Sequence, residues 1–266
     1  MSISEDPSAG SKAVPPTDID GPLLSLRGIS KTFGPVRALT GVDLDVPRGL
    51  VTALIGDNGA GKSTMIKTIS GLWGPDEGTI SWEGKPVTLH TPRDAERLGI
   101  TTIYQDLALC ENLDIVQNMF LGHEPKRRLV LDEDAMEIRA RQTLTELNVV
   151  TVRSIRQPVA SLSGGQRQSV AVAKAVMSKA RLVIMDEPTA ALGVAQTTMV
   201  LELIKRLASR GVSVIVISHN LNDVFEVADR IAVLYLGRLV VEGPASEFDR
   251  QSAVEYMTTG TVERAA

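Results

Sequence analysis

The amino-acid sequence predicts an α/β fold: a parallel sheet, an antiparallel β subdomain beside it, and a helical subdomain inserted into the core. Three observations predict it. The apolar run Val51–Ile55 feeds a glycine-rich loop that opens into a helix. Two further apolar runs, Arg181–Met185 and Val212–Ile217, flank a helical stretch, and strands buried on both faces of a parallel sheet need such uninterrupted runs. The right-handed crossover rule then places both in the sheet of the first strand. Between Gln105 and Leu162 the texture changes to helical spacing, which marks an insertion between two core strands.

Residues 1–21 are rich in Ser, Asp, Pro and Gly, lack apolar periodicity and read as a disordered leader. The fold begins near Pro22. Leu23–Ile29 reads as a strand, Lys31–Gly34 as a turn, and Val42–Val46 as a strand with one wet face, because apolar and acidic residues alternate there. Pro47 and Gly49 turn the chain into Val51–Ile55, and Ser63 opens the helix that runs to Ser70. Gly78–Gly84 and Lys85–Leu89 form a small antiparallel hairpin. Ile100–Tyr104 is a β-branched strand ending at Gln105, and Asp114–Leu121 and Asp134–Leu147 carry apolar residues at helical spacing. The helical subdomain thus covers about 106–178. A helix from Ala195 to Arg210 is stopped by Gly211. Ile231–Leu236 and Arg238–Glu242 close the sheet as a hairpin over Gly237. Short helices over Pro244–Phe248 and Ser252–Met257 end the domain, and 261–266 form a tail. There is no internal repeat.

The loop after Val51–Ile55 reads Gly56, Asp57, Asn58, Gly59, Ala60, Gly61, Lys62, Ser63, Thr64. It fits the pattern G-x-x-x-x-G-K-[ST], a cradle for a nucleoside triphosphate. Glycines let successive N–H groups converge on phosphate oxygens, and the helix that follows aims its positive end at the same anion. Lys62 adds a charge for the β and γ phosphates, and the Ser63 hydroxyl is placed for Mg²⁺. Met185-Asp186-Glu187-Pro188 follows a buried strand. Adjacent carboxylates at the tip of an apolar strand are costly unless they face a metal or a reacting water. Asp186 is therefore expected to hold Mg²⁺ and Glu187 to orient and deprotonate the attacking water; an acidic loop capping a helix is the lesser alternative. Leu162-Ser163-Gly164-Gly165-Gln166 precedes another helix, and on its own such a turn is only a helix cap.

Composition narrows the partners. A net charge of −4 and a pI near 5.5 leave no basic footprint, so nucleic acid is not expected as a partner. The single cysteine, Cys110, has no Cys or His at metal-ligand spacing and reads as an ordinary thiol of a reducing compartment. No apolar run approaches the ~20 residues that cross a bilayer, so a membrane role would need other subunits to provide the span.

With Leu162–Gln166, the phosphate loop, Gln105, Asp186-Glu187 and His219 together, residues 22 to 260 resemble the ATP-binding cassette of ABC transporters, a P-loop NTPase core of the RecA-like kind. The resemblance implies ATP and Mg²⁺ as cofactors. It also implies a head-to-tail homodimer in which each ATP lies between one chain's phosphate loop and the other's Ser163, Gly164, Gly165 and Gln166. Phe33, 23 residues before Gly56, stands where the family stacks an aromatic on adenine; a core position is the alternative. Gln105 is implied in Mg²⁺ contact and in leading to the segment that meets the membrane subunits. His219 is implied at the γ-phosphate, while His90 and His123 read as surface residues. Gly193 replaces the family's usual aspartate after Thr189-Ala-Ala-Leu192, which leaves the coupling between sites open. The wording around Gly56, Asp186 and Ser218-His219 is similar to that of the ATPases of bacterial monosaccharide importers of the ribose, xylose and fructose group. That similarity implies a motor peripheral to the cytoplasmic face of the inner membrane, joined to permease subunits and fed by an extracytoplasmic sugar-binding protein. A soluble ABC ATPase acting on DNA or ribosomes is the rival, although tandem cassettes, a long coiled-coil insertion and basic extensions are not visible. A P-loop GTPase would want an Asn-Lys-x-Asp motif, which the chain lacks.

Overall fold

A reversal at Gly34-Pro35, with Gly34 at φ +54°, starts the architecture by folding β1 (Leu24–Phe33) against β2 (Val36–Val46). The computed structural model describes residues 21–149 and 154–261; the expected leader and tail, apart from Gly21 and Thr261, lie outside them. Lys31–Phe33 was expected in a turn but continues the strand, because Thr32 pairs with Arg37 and Phe33 with Val36. β3 (Val51–Ile55), fully buried, leads to α1 (Lys62–Ile69). β4 (Glu77–Trp82) and β5 (Lys85–Val87) complete an antiparallel sheet in the order β2-β1-β4-β5.

α2 (Pro92–Leu98) was not expected from the sequence. Its start is nevertheless well marked: Pro92 sits in the first turn, and Thr91 and Asp94 satisfy each other's backbone N–H groups. β6 (Ile100–Ile103) then enters the main sheet. The helical subdomain follows as α3 (Ile115–Phe120), a short hairpin of β7 (Lys126–Arg127) and β8 (Val130–Leu131), α4 (Glu133–Glu146) and α5 (Gly164–Met177). Arg156 donates to Glu137 at 2.6 Å, Glu133 at 2.9 Å and Asp114 at 3.2 Å, so one guanidinium fork ties three segments of the insertion together.

The chain returns to the core in β9 (Leu182–Asp186), α6 (Val194–Ser209) and β10 (Ser213–Ile217), the expected βαβ unit. α7 (Leu221–Val227), β11 (Arg230–Tyr235), β12 (Arg238–Pro244) and α8 (Arg250–Thr259) close the domain. The segment expected as a helix over Pro244–Phe248 is only a 3₁₀ turn at Ala245–Glu247. The main sheet runs β12-β11-β3-β10-β9-β6, parallel except for β12. Alternate residues of its strands face opposite layers: Val183, Met185, Val214 and Val216 pack with the helical subdomain and α6, while Leu182, Ile184, Ile215 and Ile217 pack with α1 and the antiparallel sheet. That two-sided burial explains the uninterrupted apolar runs.

Candidate active site

Strand register brings the site together. Ile217 lies beside Leu54 on one side and Asp186 on the other, and Met185 beside Ile103. The residues just past these strand ends therefore converge: Gly56 after β3, Glu187 after β9, His219 after β10 and Gln105 after β6. In open parallel sheets the carboxyl ends of the strands are where ligands bind. A cavity of about 650 Å³ opens there, lined by Asn58 to Thr64, Gln105, Asp186, Glu187 and His219. All of the sequence-predicted phosphate-and-metal residues of one chain but Gly56 and Asp57 thus line a single cavity. Val36, Arg37, Ala38, Ala190, Ile217, Leu236 and Gly237 also line it, and no motif marks them.

The phosphate loop is built by close approach. Gly61 is the N-cap of α1 at φ +105°, and a Cβ there would come within 2.7 Å of the Ala38 carbonyl oxygen; only glycine fits both demands. Lys62 Nζ donates to the carbonyls of Gly56 at 2.7 Å and Asp57 at 2.9 Å, which holds the amine inside the loop. Burial pushes that amine below its ordinary range, against the pull of Glu187, Asp57 and Asp186. Burial likewise pushes the Asp186 carboxyl up, helped by Glu187 and opposed by Lys62 and Lys67. Two carboxylates face one amine in a partly desolvated cleft, so a divalent cation would be favoured there. Ser63, Gln105 and Asp186, which all line the cavity, offer the oxygen donors that suit Mg²⁺, whose remaining ligands are typically water and phosphate.

Glu187 sits at φ +50°, an uncommon conformation for a residue with a side chain. Its N–H donates to Ile217 O at 2.9 Å, and its Oε2 lies 2.8 Å from His219 Nδ1. The carboxylate is 16 % exposed and the imidazole 72 %, so the acid is recessed beneath a histidine that reaches solvent.

The remaining predicted residues do not line this cavity, although Gly164 borders a neighbouring one of about 300 Å³ that Gln105 and Glu187 also line. Ser163 caps α5: Gln166 N–H donates to its hydroxyl at 3.4 Å, and its own N–H donates to Gln166 Oε1 at 2.9 Å. A serine hydroxyl that accepts this way still keeps its proton for an outside oxygen. A Cβ on Gly164 would meet Leu192 Cδ2 at 2.7 Å, so the turn is pressed against the segment entering α6. Gly193 is the N-cap of α6 without a side-chain cap, in open space. Phe33 does not line the cavity; the residue is 38 % exposed and its ring is edge-on to Trp73, centroids 4.6 Å apart. Its partial exposure does not fit the core alternative. His90 and His123 are exposed, and His123 lies 3.2 Å from Glu96. Cys110 is a free, half-buried thiol.

Residues 39–190 match the ABC transporter family. The chain is 49 % identical to the fructose import ATP-binding protein of Rhizobium meliloti and 46 % identical to the xylose/arabinose import ATP-binding protein of Sulfolobus acidocaldarius, in each case over 89 % of this chain and 94 % of the relative. A ribose import ATP-binding protein of Rubrobacter xylanophilus is 43 % identical over 91 % of this chain but only 48 % of its own length. Among solved structures, an ATP-binding cassette of an ABC transporter in its ADP conformation superposes with a TM-score of 0.76 at 27 % identity, covering 89 % of this chain and 95 % of the other. A dimeric cassette with bound ADP and Pi gives a TM-score of 0.70 at 26 % identity, covering 84 % and 98 %.

Proposed function

The chain belongs to the ABC transporter family, among its ATP-binding cassettes, and from that premise we propose that it is the ATP-hydrolysing motor of a monosaccharide importer. The observation that carries this reading is the convergence of Lys62, Asp186, Glu187 and His219 on one cavity at the strand ends. ATP lies with its phosphates on the Gly56–Thr64 loop and its base toward Phe33. Ser63, Gln105 and Asp186 would hold Mg²⁺, which would supply charge neutralisation for the transferred phosphoryl group. Glu187 orients water and takes its proton, and His219 holds the Glu187 carboxylate and reaches the γ-phosphate.

In this reading two copies face head to tail, and each site takes Ser163, Gly164, Gly165 and Gln166 from the partner; that the Ser163–Gln166 turn does not line its own chain's cavity supports it. The α5 N-terminus then brings about half a positive charge to the γ-phosphate. Among the described residues no helix is long and apolar enough to cross a membrane. Permease subunits supply the span, the motor docks on their cytoplasmic face, and an extracytoplasmic binding protein delivers the sugar. The sugar assignment leans on the relatives named for fructose, xylose/arabinose and ribose import.

The test is to purify the chain with whatever membrane and binding-protein subunits accompany it and to follow Mg²⁺-dependent ATP hydrolysis in proteoliposomes. Stimulation when the binding protein carries a pentose or hexose is the expected result. An assembly indifferent to monosaccharides but driven by another solute would overturn the cargo, and one that leaves Mg-ATP intact would overturn the motor.

A further inference from the structure

We infer that Thr189 and Asp223 form a positioning pair that holds the catalytic Glu187 and His219 in register. This inference rests on the reading of Glu187 as the base. Asp223, in the first turn of α7, is the one charged side chain that is buried among the described residues, 7 % exposed. A buried carboxylate is costly unless donors satisfy it. Among the described residues, its one side-chain hydrogen bond comes from the Thr189 hydroxyl, at 2.6 Å. Thr189 lies two residues beyond Glu187, and Asp223 four residues beyond His219. The bond therefore joins the segment that carries the acid to the segment that carries the histidine.

Its effect follows from the backbone between. Glu187 at φ +50° is a conformation that persists only where surroundings over-determine it. The Glu187 N–H to Ile217 O bond restrains it on the strand side. Beyond it, the Ala190 N–H donates to Glu187 O at 3.1 Å and the Thr189–Asp223 bond anchors the outgoing loop. The 2.8 Å Glu187–His219 contact lies between these two ties. Releasing the outer tie leaves the phosphate loop untouched but lets the acid drift from the attacking water, and displacements of about 1 Å are enough to slow a reaction strongly.

The experiment compares Thr189→Val, which keeps shape and removes the donor, with Thr189→Ser, which keeps the hydroxyl. Each is made alone and with Glu187→Gln; kcat, KM for Mg-ATP and the Kd of a fluorescent ATP analogue are measured. Thr189→Val should lower kcat about tenfold or more while Kd stays within about twofold. Thr189→Ser should restore most of kcat, and Thr189→Val should remove nothing further once Glu187 is Gln. Normal kcat in Thr189→Val, an equal loss in Kd, no rescue by Ser, or an additional loss in the Glu187→Gln background would each overturn the pair. If Thr189→Val does not fold, Asp223→Asn, which keeps an acceptor, against Asp223→Ala decides by the same criteria. Glu187→Gln turning over at the wild-type rate would instead overturn the site reading itself, and the pair with it.

Discussion

At the scale of single residues, the proposed chemistry depends on a recessed acid and an amine held inside its own loop. Lys62 is bonded to the Gly56 and Asp57 carbonyls and Glu187 to His219, so both side chains are held by protein contacts, and on the proposed reading preorganisation of this kind would lower the barrier. Glu187→Gln keeps the size of the side chain and an acceptor for His219 but removes the base. It should bind Mg-ATP with a Kd within about twofold of the wild type, lose about a hundredfold or more in turnover, and accumulate as an ATP-bound dimer. Wild-type turnover from that variant would remove Glu187 from its role. Gly56–Thr64, Asp186 and Glu187 were legible in the sequence because each motif is a short local run whose spacing reflects one strand end. Gln105, His219 and Phe33 acquired meaning only through family resemblance. The Thr189–Asp223 bond was not legible, because its partners are 34 positions apart and are brought together only by the adjacency of β9 and β10.

Among elements, strands buried on both faces were the easiest to read, and β3, β9 and β10 lie within a residue of where their apolar runs end. Short amphipathic pieces were harder. α2 spans seven residues, too few for a 3.6-residue period to show, although Thr91, Pro92 and Asp94 spell a helix start. α7 likewise hides behind the His219 segment. The turn between β4 and β5 is clamped to the main sheet by Glu83, which accepts from Arg181 at 2.9 Å and pairs with Arg48 at 2.8 Å. These arginines, Arg181 first, pull the Glu83 carboxyl from its ordinary 4.5 to about 2. A depressed carboxyl contributes stability that is present above its unfolded value and lost as pH falls through its folded value, here between about 4.5 and about 2. The gap in urea midpoint between wild type and Glu83→Gln should therefore be constant above pH 5 and shrink below it. A gap that stays constant down to pH 3 would show that the clamp is not electrostatic.

For the whole molecule, the decisive element of the proposal is that one chain holds only part of the machinery. The pocket gathers Lys62, Asp186, Glu187 and His219, while Ser163 caps α5 and does not line it; on the proposed reading the phosphate loop and the Ser163 turn of one chain would serve different ATP molecules. The proposed head-to-tail dimer is a closed arrangement that would complete both sites. Mixing two differently tagged variants tests this directly. Lys62→Ala and Ser163→Arg homodimers each carry two damaged sites and should fail to close on ATP. In the heterodimer both lesions fall in one site, and the other keeps an intact Lys62 opposite an intact Ser163. ATP-dependent dimers containing both tags, scored by chromatography, should therefore reappear on mixing. If mixing restores no dimer while the Ser163→Arg chain still binds ATP normally, the shared site is contradicted.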